Sequence, residues 1–408
     1  PMAQPVELKR TLSLTQITFY GLGTILGAGI YVLVGKVADT AGLYAPIAFL
    51  IAALLAGLTG LSYAELAARH PKSAGEAVYV EDGLRWRPLS ILVGFLIILT
   101  GIVSAATIAN GFVGYLHVFV AVPDWLAITL LVFLLGGLAA WGIDESVMAA
   151  TFITLVEVGG LLLILAVAGG SLAELPARLP ELIPPPDGIV WQGILLGAFL
   201  AFYAFIGFED MVNVAEEVKD PTRNLPLAIL IAIGVSTVLY LLVALVAVLA
   251  LPPAELAQSR APLALIWERS TGSSPVVISL ISLFAVVNGA LIQIVMAARV
   301  FYGMSREGWL HAVFGKVHWR TRTPLLSTAL VTALVLILAL WLPIVTLAKV
   351  TSFIILVVFA FINLALVRIK RRAPHPDGIR TYPMWVPVAG FLSTTGFVLL
   401  QIAGWLRG

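Results

Sequence analysis

The chain has 408 residues, of which 60% are hydrophobic and only 11% are charged, and its net charge is +2. A soluble domain carries roughly 25% charged residues, so this composition argues against a soluble enzyme and excludes a disordered chain. The chain has no cysteine, which excludes disulfides, thiolate metal sites and cysteine nucleophiles. The small net charge gives no indication of nucleic acid binding.

The apolar residues are grouped in eleven blocks, most of which have the length that a bilayer-spanning helix needs, about 20 residues. In chain order the blocks are 14–38, 44–68, 89–120, 125–142, 147–169, 191–217, 226–250, 275–304, 325–342, 344–368 and 385–406. No apolar stretch has the charged start and small-residue cleavage site of a signal peptide, so we expect the first block to be retained. The sequence predicts an all-α membrane protein of about 11 transmembrane helices in a single domain, 1–408.

The basic residues are distributed unevenly between the connections. Most of the 24 lysines and arginines fall in segments on the same side as the N-terminus. The opposite side receives Arg178, Arg260, Arg269 and Arg407. Because positive charge is enriched in cytoplasmic loops, we expect a multi-pass protein of the cytoplasmic (inner) membrane with a cytoplasmic N-terminus.

Two blocks are interrupted near their middle. The interruption in the first block contains four glycines: Gly21, Gly23, Gly27 and Gly29. The sixth block has Gly207 followed by two acids. These blocks are the first members of two sets of five helices, 14–169 and 191–368, which run inverted because five is odd; 385–406 is an additional helix. Interrupted helices in corresponding positions of inverted repeats indicate a transporter's central site.

A helix that stops inside the membrane exposes main-chain groups that can bind a ligand. The free N–H groups at a new N-terminus suit a carboxylate, whereas free carbonyls suit an ammonium group or a sodium ion. A zwitterionic amino acid presents both groups. The alternative is close helix packing through small residues, and Gly23 and Gly27 have the spacing for it.

Several motifs resemble the amino acid–polyamine–organocation superfamily. They are 23–31 (GTILGAGIY), 62–66 (SYAEL), 71–79 (PKSAGEAVY), 202–209 (FYAFIGFE), 216–226 (EEVKDPTRNLP) and 299–308 (RVFYGMSREG). The resemblance is greatest to bacterial permeases akin to the cationic amino acid transporters. It implies the leucine-transporter fold, in which helices 1 and 6 unwind at mid-membrane around the substrate.

The resemblance also implies positions for the substrate. Its carboxylate would meet backbone N–H groups around Gly27, Ala28 and Gly29, and its ammonium would meet carbonyls at the two breaks. Relatives often have a hydroxyl residue at the Ala28 position, so that contact is lost here. The predicted substrate-binding residues are Ile25, Leu26, Gly27, Ala28, Gly29, Tyr203, Ala204, Phe205, Ile206 and Phe208. For Phe205 and Phe208, ordinary packing is an equal alternative to a gate or pocket wall.

Glu157 lies near the middle of block 147–169, where some proton-coupled relatives have a lysine. A charged residue at a helix centre costs roughly 2.5–3.5 kcal/mol on insertion scales and is functional by default. We interpret Glu157 as a proton carrier; an ionised cation ligand and a protonated structural residue are the alternatives. Ser282 and Asn288 are predicted to face it, unless they bond only to the preceding helical turn.

Glu209 and Asp210 follow the second break. We favour a role in capping or gating the next half-helix over selection of a basic side chain or a polyamine. These residues complete the predicted set of functional positions.

The sequence therefore predicts a secondary active transporter that moves amino acids by alternating access. A proton is the expected coupling ion and sodium the less favoured one, with no cofactor, no metal and no nucleic acid partner. The expected partners are the substrate and the lipid bilayer, and the oligomeric state stays open. The alternatives are a polyamine or organocation transporter and an amino acid exchanger. An enzyme is not expected, because catalytic residues do not cluster.

Overall fold

A computed structural model describes residues 10, 12–27, 29–71, 75–141, 147–321 and 323–407. Within these ranges the ordered elements are helical, apart from an isolated bridge between Leu12 and Val218. The α-helices in chain order are α1 Leu14–Leu26, α2 Gly29–Ala41, α3 Ala45–Arg69, α4 Gly75–Leu84, α5 Arg87–Leu116, α6 Asp124–Trp141, α7 Val147–Ala168, α8 Leu175–Arg178, α9 Gly188–Ala201, α10 Pro221–Ala250, α11 Pro253–Gln258, α12 Pro262–Thr271, α13 Val276–Arg306, α14 Leu325–Trp341, α15 Ile344–Arg372 and α16 Trp385–Arg407.

The predicted all-α membrane class is confirmed. In the described part of the chain, nine helical segments are long and apolar enough to cross a membrane. One of them, Leu14–Arg69, covers the first two predicted blocks, and the shorter Leu325–Trp341 accounts for the ninth block. The inverted five-plus-five arrangement stays a prediction.

One predicted boundary is wrong for a simple reason. The sequence predicts the seventh block at 226–250, whereas α10 begins at Pro221 and contains Pro226 inside it. Proline is favoured at the first position of a helix, where its missing N–H would have no intrahelical partner. The polar residues 222–224 therefore form the first turn of α10 rather than a connecting loop.

Several helices pack closely around the two predicted interruptions. α1 packs against α10 and α7, α2 packs against α9, and α5 packs along α13. Their facing sides are rich in alanine and glycine, and many of these alanines, such as Ala105 and Ala106 of α5, are almost completely buried. Small side chains allow helix axes to approach closely in a membrane protein, so main-chain atoms reach the centre of the bundle.

Candidate functional site

The first apolar block is divided as predicted. α1 ends at Leu26, Gly27 caps it by donating its N–H to the Gly23 carbonyl at 3.2 Å, and α2 begins at Gly29. The predicted contact at Ala28 lies outside the described residues. Because α2 begins here, its first N–H groups have no intrahelical acceptors and carry the positive end of the helix dipole.

The sixth block departs further from an α-helix. After α9 the chain forms a tight 3₁₀ turn at Phe202–Phe205, extends at Ile206, and reaches Gly207 with a φ of +126°. A second 3₁₀ helix, Glu209–Glu217, follows. A Cβ on Gly207 would lie 2.5 Å from the Thr24 carbonyl oxygen, so both the backbone conformation and the available space require glycine.

The two interruptions touch each other through their main chains. A Cβ built on Gly29 would lie 2.3 Å from the Cα of Ala204. On the other side of the break, the Thr24 hydroxyl donates to the Gly207 carbonyl at 2.9 Å. The start of α2 and the 3₁₀ turn after α9 therefore meet without intervening side chains.

A cavity lies beside this contact, bounded by four helical regions. Its lining residues are Thr24, Ile25 and Gly29 from the first break, Tyr203 and Ile206 from the second, Ser104 and Ile108 from α5, and Gly289, Ile292 and Gln293 from α13. All of these lining side chains are uncharged. The cavity thus offers main-chain polar groups at one end and neutral side chains elsewhere.

Of the ten predicted substrate-binding residues, the structure places four in the cavity wall: Ile25, Gly29, Tyr203 and Ile206. Gly27 lies against Gly289 of α13, since a Cβ built on Gly27 would lie 3.3 Å from the Cα of Gly289. Leu26 is fully buried in the apolar core. Whether any of them binds substrate remains a prediction.

The two predicted gate aromatics pack tightly instead of bordering open space. Phe205 is fully buried with its ring 5.0 Å from that of Tyr240. Phe208 is fully buried between Tyr63 at 5.5 Å and Phe359 at 5.3 Å. Their contacts are those of the packing alternative, in edge-on or tilted geometries that aromatic pairs prefer.

Tyr240 of α10 is a site residue that the sequence did not indicate. Its hydroxyl lies 2.8 Å from the Ile25 carbonyl oxygen and 2.9 Å from that of Ala204. Its single O–H donates to one of them at a time. Tyr240 therefore joins the two breaks at carbonyls that were predicted to receive the substrate ammonium, and each carbonyl keeps a second lone pair for a ligand.

Glu157 lies fully buried on α7, next to the first break. Its Oε1 accepts a hydrogen bond from Asn288 at 3.2 Å, and its main-chain carbonyl accepts one from the Tyr31 hydroxyl. A Cβ on Gly23 would lie 3.8 Å from its Oε2. The expected proximity of Asn288 is thus observed, whereas the Ser282 hydroxyl donates to the Ile278 carbonyl at 2.7 Å, the local bond given as the alternative.

The acids after the second break are both hydrogen-bonded. Glu209 accepts a hydrogen bond from the Gly207 N–H at 2.9 Å, whereas the helix Glu209–Glu217 has no side-chain cap at its start. Asp210 accepts one from Gln293 at 3.3 Å. A third buried acid, Glu76 of α4, accepts a hydrogen bond from Tyr63 at 3.2 Å.

Burial raises the pKa of the Glu76 carboxyl to about 7, and the charge of nearby Asp210 adds to the increase. Because the pKa of Glu76 is higher in the folded than in the unfolded protein, the protonated carboxyl stabilises the fold. This stabilisation is present at low pH and is lost as the pH rises from about 4.5 to about 7. We expect the free energy of unfolding in detergent to fall by up to about 3 kcal/mol over this range. The thermal midpoint should fall with it. Glu76→Gln should flatten the profile, whereas Glu81→Gln on the same helix should keep it. An unchanged slope in Glu76→Gln would contradict the assignment.

Glu65, near the end of α3, is a fully buried acid outside this cluster. Both of its oxygens lie 2.8 Å from the Lys370 ammonium, and Arg69 and the Tyr382 N–H donate to it at 2.7 and 2.9 Å. One carboxylate thus joins α3, α15 and the segment preceding α16, fully hydrogen-bonded as a buried charge requires.

Comparison with known proteins identifies the family of the chain. The profile of the family described as "Amino acid permease" matches residues 12–407. The chain is 29% identical to the branched-chain amino acid permease BcaP of Bacillus subtilis, over 98% of this chain and 89% of the relative. An uncharacterized transporter of Mycobacterium tuberculosis is 31% identical over 99% of this chain and 88% of its own length.

A plant relative, the vacuolar cationic amino acid transporter 4 of Arabidopsis thaliana, is 30% identical over 92% of this chain. The chain spans 65% of that relative's length. These relatives are named as permeases and transporters, not as enzymes. The chain belongs to the amino acid permease family of the amino acid–polyamine–organocation superfamily.

Proposed function

We propose that this multi-pass membrane protein is a secondary active transporter that moves amino acids across the bilayer by alternating access. The observation that carries the proposal is the meeting of two interrupted helices beside one cavity, with Gly29 and Ala204 in main-chain contact. Such a meeting brings main-chain N–H and carbonyl groups of two helix breaks together inside a membrane-spanning bundle.

The substrate lies across the two breaks in this proposal. Its carboxylate binds the first N–H groups of α2, from Gly29 onward, where the helix dipole favours negative charge. Its ammonium binds carbonyls near Ile25, Ala204 and Ile206. The Tyr240 hydroxyl lies within hydrogen-bond distance of the Ile25 and Ala204 carbonyl oxygens and donates to one of them at a time, so it holds the two breaks close together.

A proton is the coupling ion in this proposal, and Glu157 carries it. The residue is buried, hydrogen-bonded to Asn288 and adjacent to Gly23 of α1. A change in its charge would act directly on the helix that binds the substrate, which is the arrangement that coupling needs. In this proposal the protein lies in the cytoplasmic membrane with its N-terminus in the cytoplasm, and the excess of basic residues in the connections on the N-terminal side supports that orientation.

Uptake by proteoliposomes tests the proposed function. The purified full chain is reconstituted and given a panel of radiolabelled amino acids, with and without an inward proton gradient. We expect concentrative uptake of at least one amino acid that collapses when the gradient is dissipated. Uptake of none of the panel would overturn the transport proposal, and uptake unaffected by the gradient would overturn the proton coupling.

A further inference from the structure

We propose that the substrates are amino acids with uncharged side chains, and that Gln293 determines this selectivity by covering the carboxylate of Asp210. The inference rests on the proposed transport function and specifies its substrate class. It identifies one residue whose removal should admit cationic substrates.

The cavity wall away from the helix breaks is neutral. Ile108 of α5 and Ile292 of α13 supply apolar surface, and Ser104 supplies a hydroxyl that is already hydrogen-bonded to Tyr203 at 3.0 Å. A lysine or arginine side chain entering this space would leave water without meeting a carboxylate. An unpaired charge in such a site is strongly unfavourable.

A carboxylate nevertheless lies directly behind the wall. Gln293 lines the cavity, and its side-chain amide donates to Asp210 at 3.3 Å. Both side chains are more than nine-tenths buried, at 8% and 7% exposed. Asp210 does not line the cavity itself but is hydrogen-bonded to a side chain that does.

The consequence of shortening Gln293 follows from this arrangement. Removal of its amide opens the space between the cavity and Asp210, and it also takes away the donor that Asp210 now has. A carboxylate that faces the cavity can bind an ammonium or a guanidinium through charge-assisted hydrogen bonds. The shortened variant therefore gains the counter-ion that a cationic side chain needs.

The test compares uptake of isoleucine and lysine by reconstituted full-length protein. We expect the wild type to favour isoleucine by more than about tenfold in the ratio of uptake rate to KM. Gln293→Ala should raise the value for lysine by about tenfold or more. Gln293→Ser is a second variant in case the first does not fold.

Two further variants separate charge from volume. Ile292→Ala enlarges the neighbouring wall without uncovering a carboxylate, so it should not gain lysine uptake. The double variant Gln293→Ala/Asp210→Asn should lose the gain that Gln293→Ala shows. Ligand-induced shifts in thermal midpoint with lysine and isoleucine give a second readout that does not depend on turnover.

The possible failures are distinguishable. Equal wild-type uptake of lysine and isoleucine would overturn the neutral substrate class but support amino acid transport. Neutral uptake without a gain of lysine in either Gln293 variant would overturn the role of Gln293. If no amino acid is bound or taken up by the wild type, the proposed function itself fails.

Discussion

Gly29→Ala is expected to abolish amino acid uptake and to weaken substrate binding by at least about tenfold. The added Cβ would lie 2.3 Å from the Cα of Ala204 and 2.7 Å from its Cβ. These atoms cannot rotate away, so the two breaks must separate, and overpacking of this kind costs about 1–3 kcal/mol. The separation moves the N–H groups of α2 away from the carbonyls across the cavity. Uptake and substrate-induced thermal shift measure the loss.

Gly57→Ala is the matched control. It adds the same methyl group to a glycine within α3, where nothing lies within 4 Å of the new atom. Alanine is favoured over glycine in a helix interior by about 1 kcal/mol, so this variant should bind and transport like the wild type. Equal behaviour of the two variants would show that contact between the breaks does not set the geometry of binding.

Glu157→Gln is expected to remove the dependence of uptake on the proton gradient while substrate binding persists. Glutamine keeps the length of the side chain and an oxygen that can accept from Asn288, as Oε1 does at 3.2 Å. It cannot gain or lose a proton. The variant should exchange substrate across the membrane but fail to concentrate it when an inward proton gradient is imposed.

The control for this variant removes a carboxylate elsewhere. Glu181 is exposed and pairs with Arg178 at 3.2 Å, so Glu181→Gln should keep the wild-type pH profile. Wild-type gradient dependence in Glu157→Gln would refute the proton-carrier interpretation. Loss of binding together with coupling would assign Glu157 a structural role.

The interruptions of the two helices could be predicted because the glycines that they require are visible in the sequence. Gly207 has a positive φ, and the Thr24 carbonyl lies where a Cβ would be. Each of these features disfavours a residue with a side chain. Glu157 was equally conspicuous as an acid within an apolar helix. Its bond to Asn288 could be anticipated because Asn288 is one of the few polar residues of α13.

The remaining site residues depend on packing between distant helices. Tyr240 resembles any other tyrosine in an apolar helix until α10 is placed against both breaks. Gln293 could be linked to substrate selectivity only once the structure placed it against Asp210. Phe205 and Phe208 adjoin the second break in sequence but point into the core, because a 3₁₀ turn and an extended residue alter the direction of successive side chains.

The bridge between Leu12 and Val218 has a mechanical consequence. The Leu12 N–H donates to the Glu217 carbonyl at 2.9 Å, and the Lys219 N–H donates to the Leu12 carbonyl at 2.8 Å. These bonds tie the start of α1 to the end of the segment Glu209–Glu217, while α2 packs with α9 beyond the breaks. In the proposed alternating access we expect the two tied segments to move together, and the paired α2 and α9 to move together in turn. Gly27 and Gly207 lie at the two interruptions between these pairs, so we expect a rotation there to change the width of the cavity without unfolding the helices.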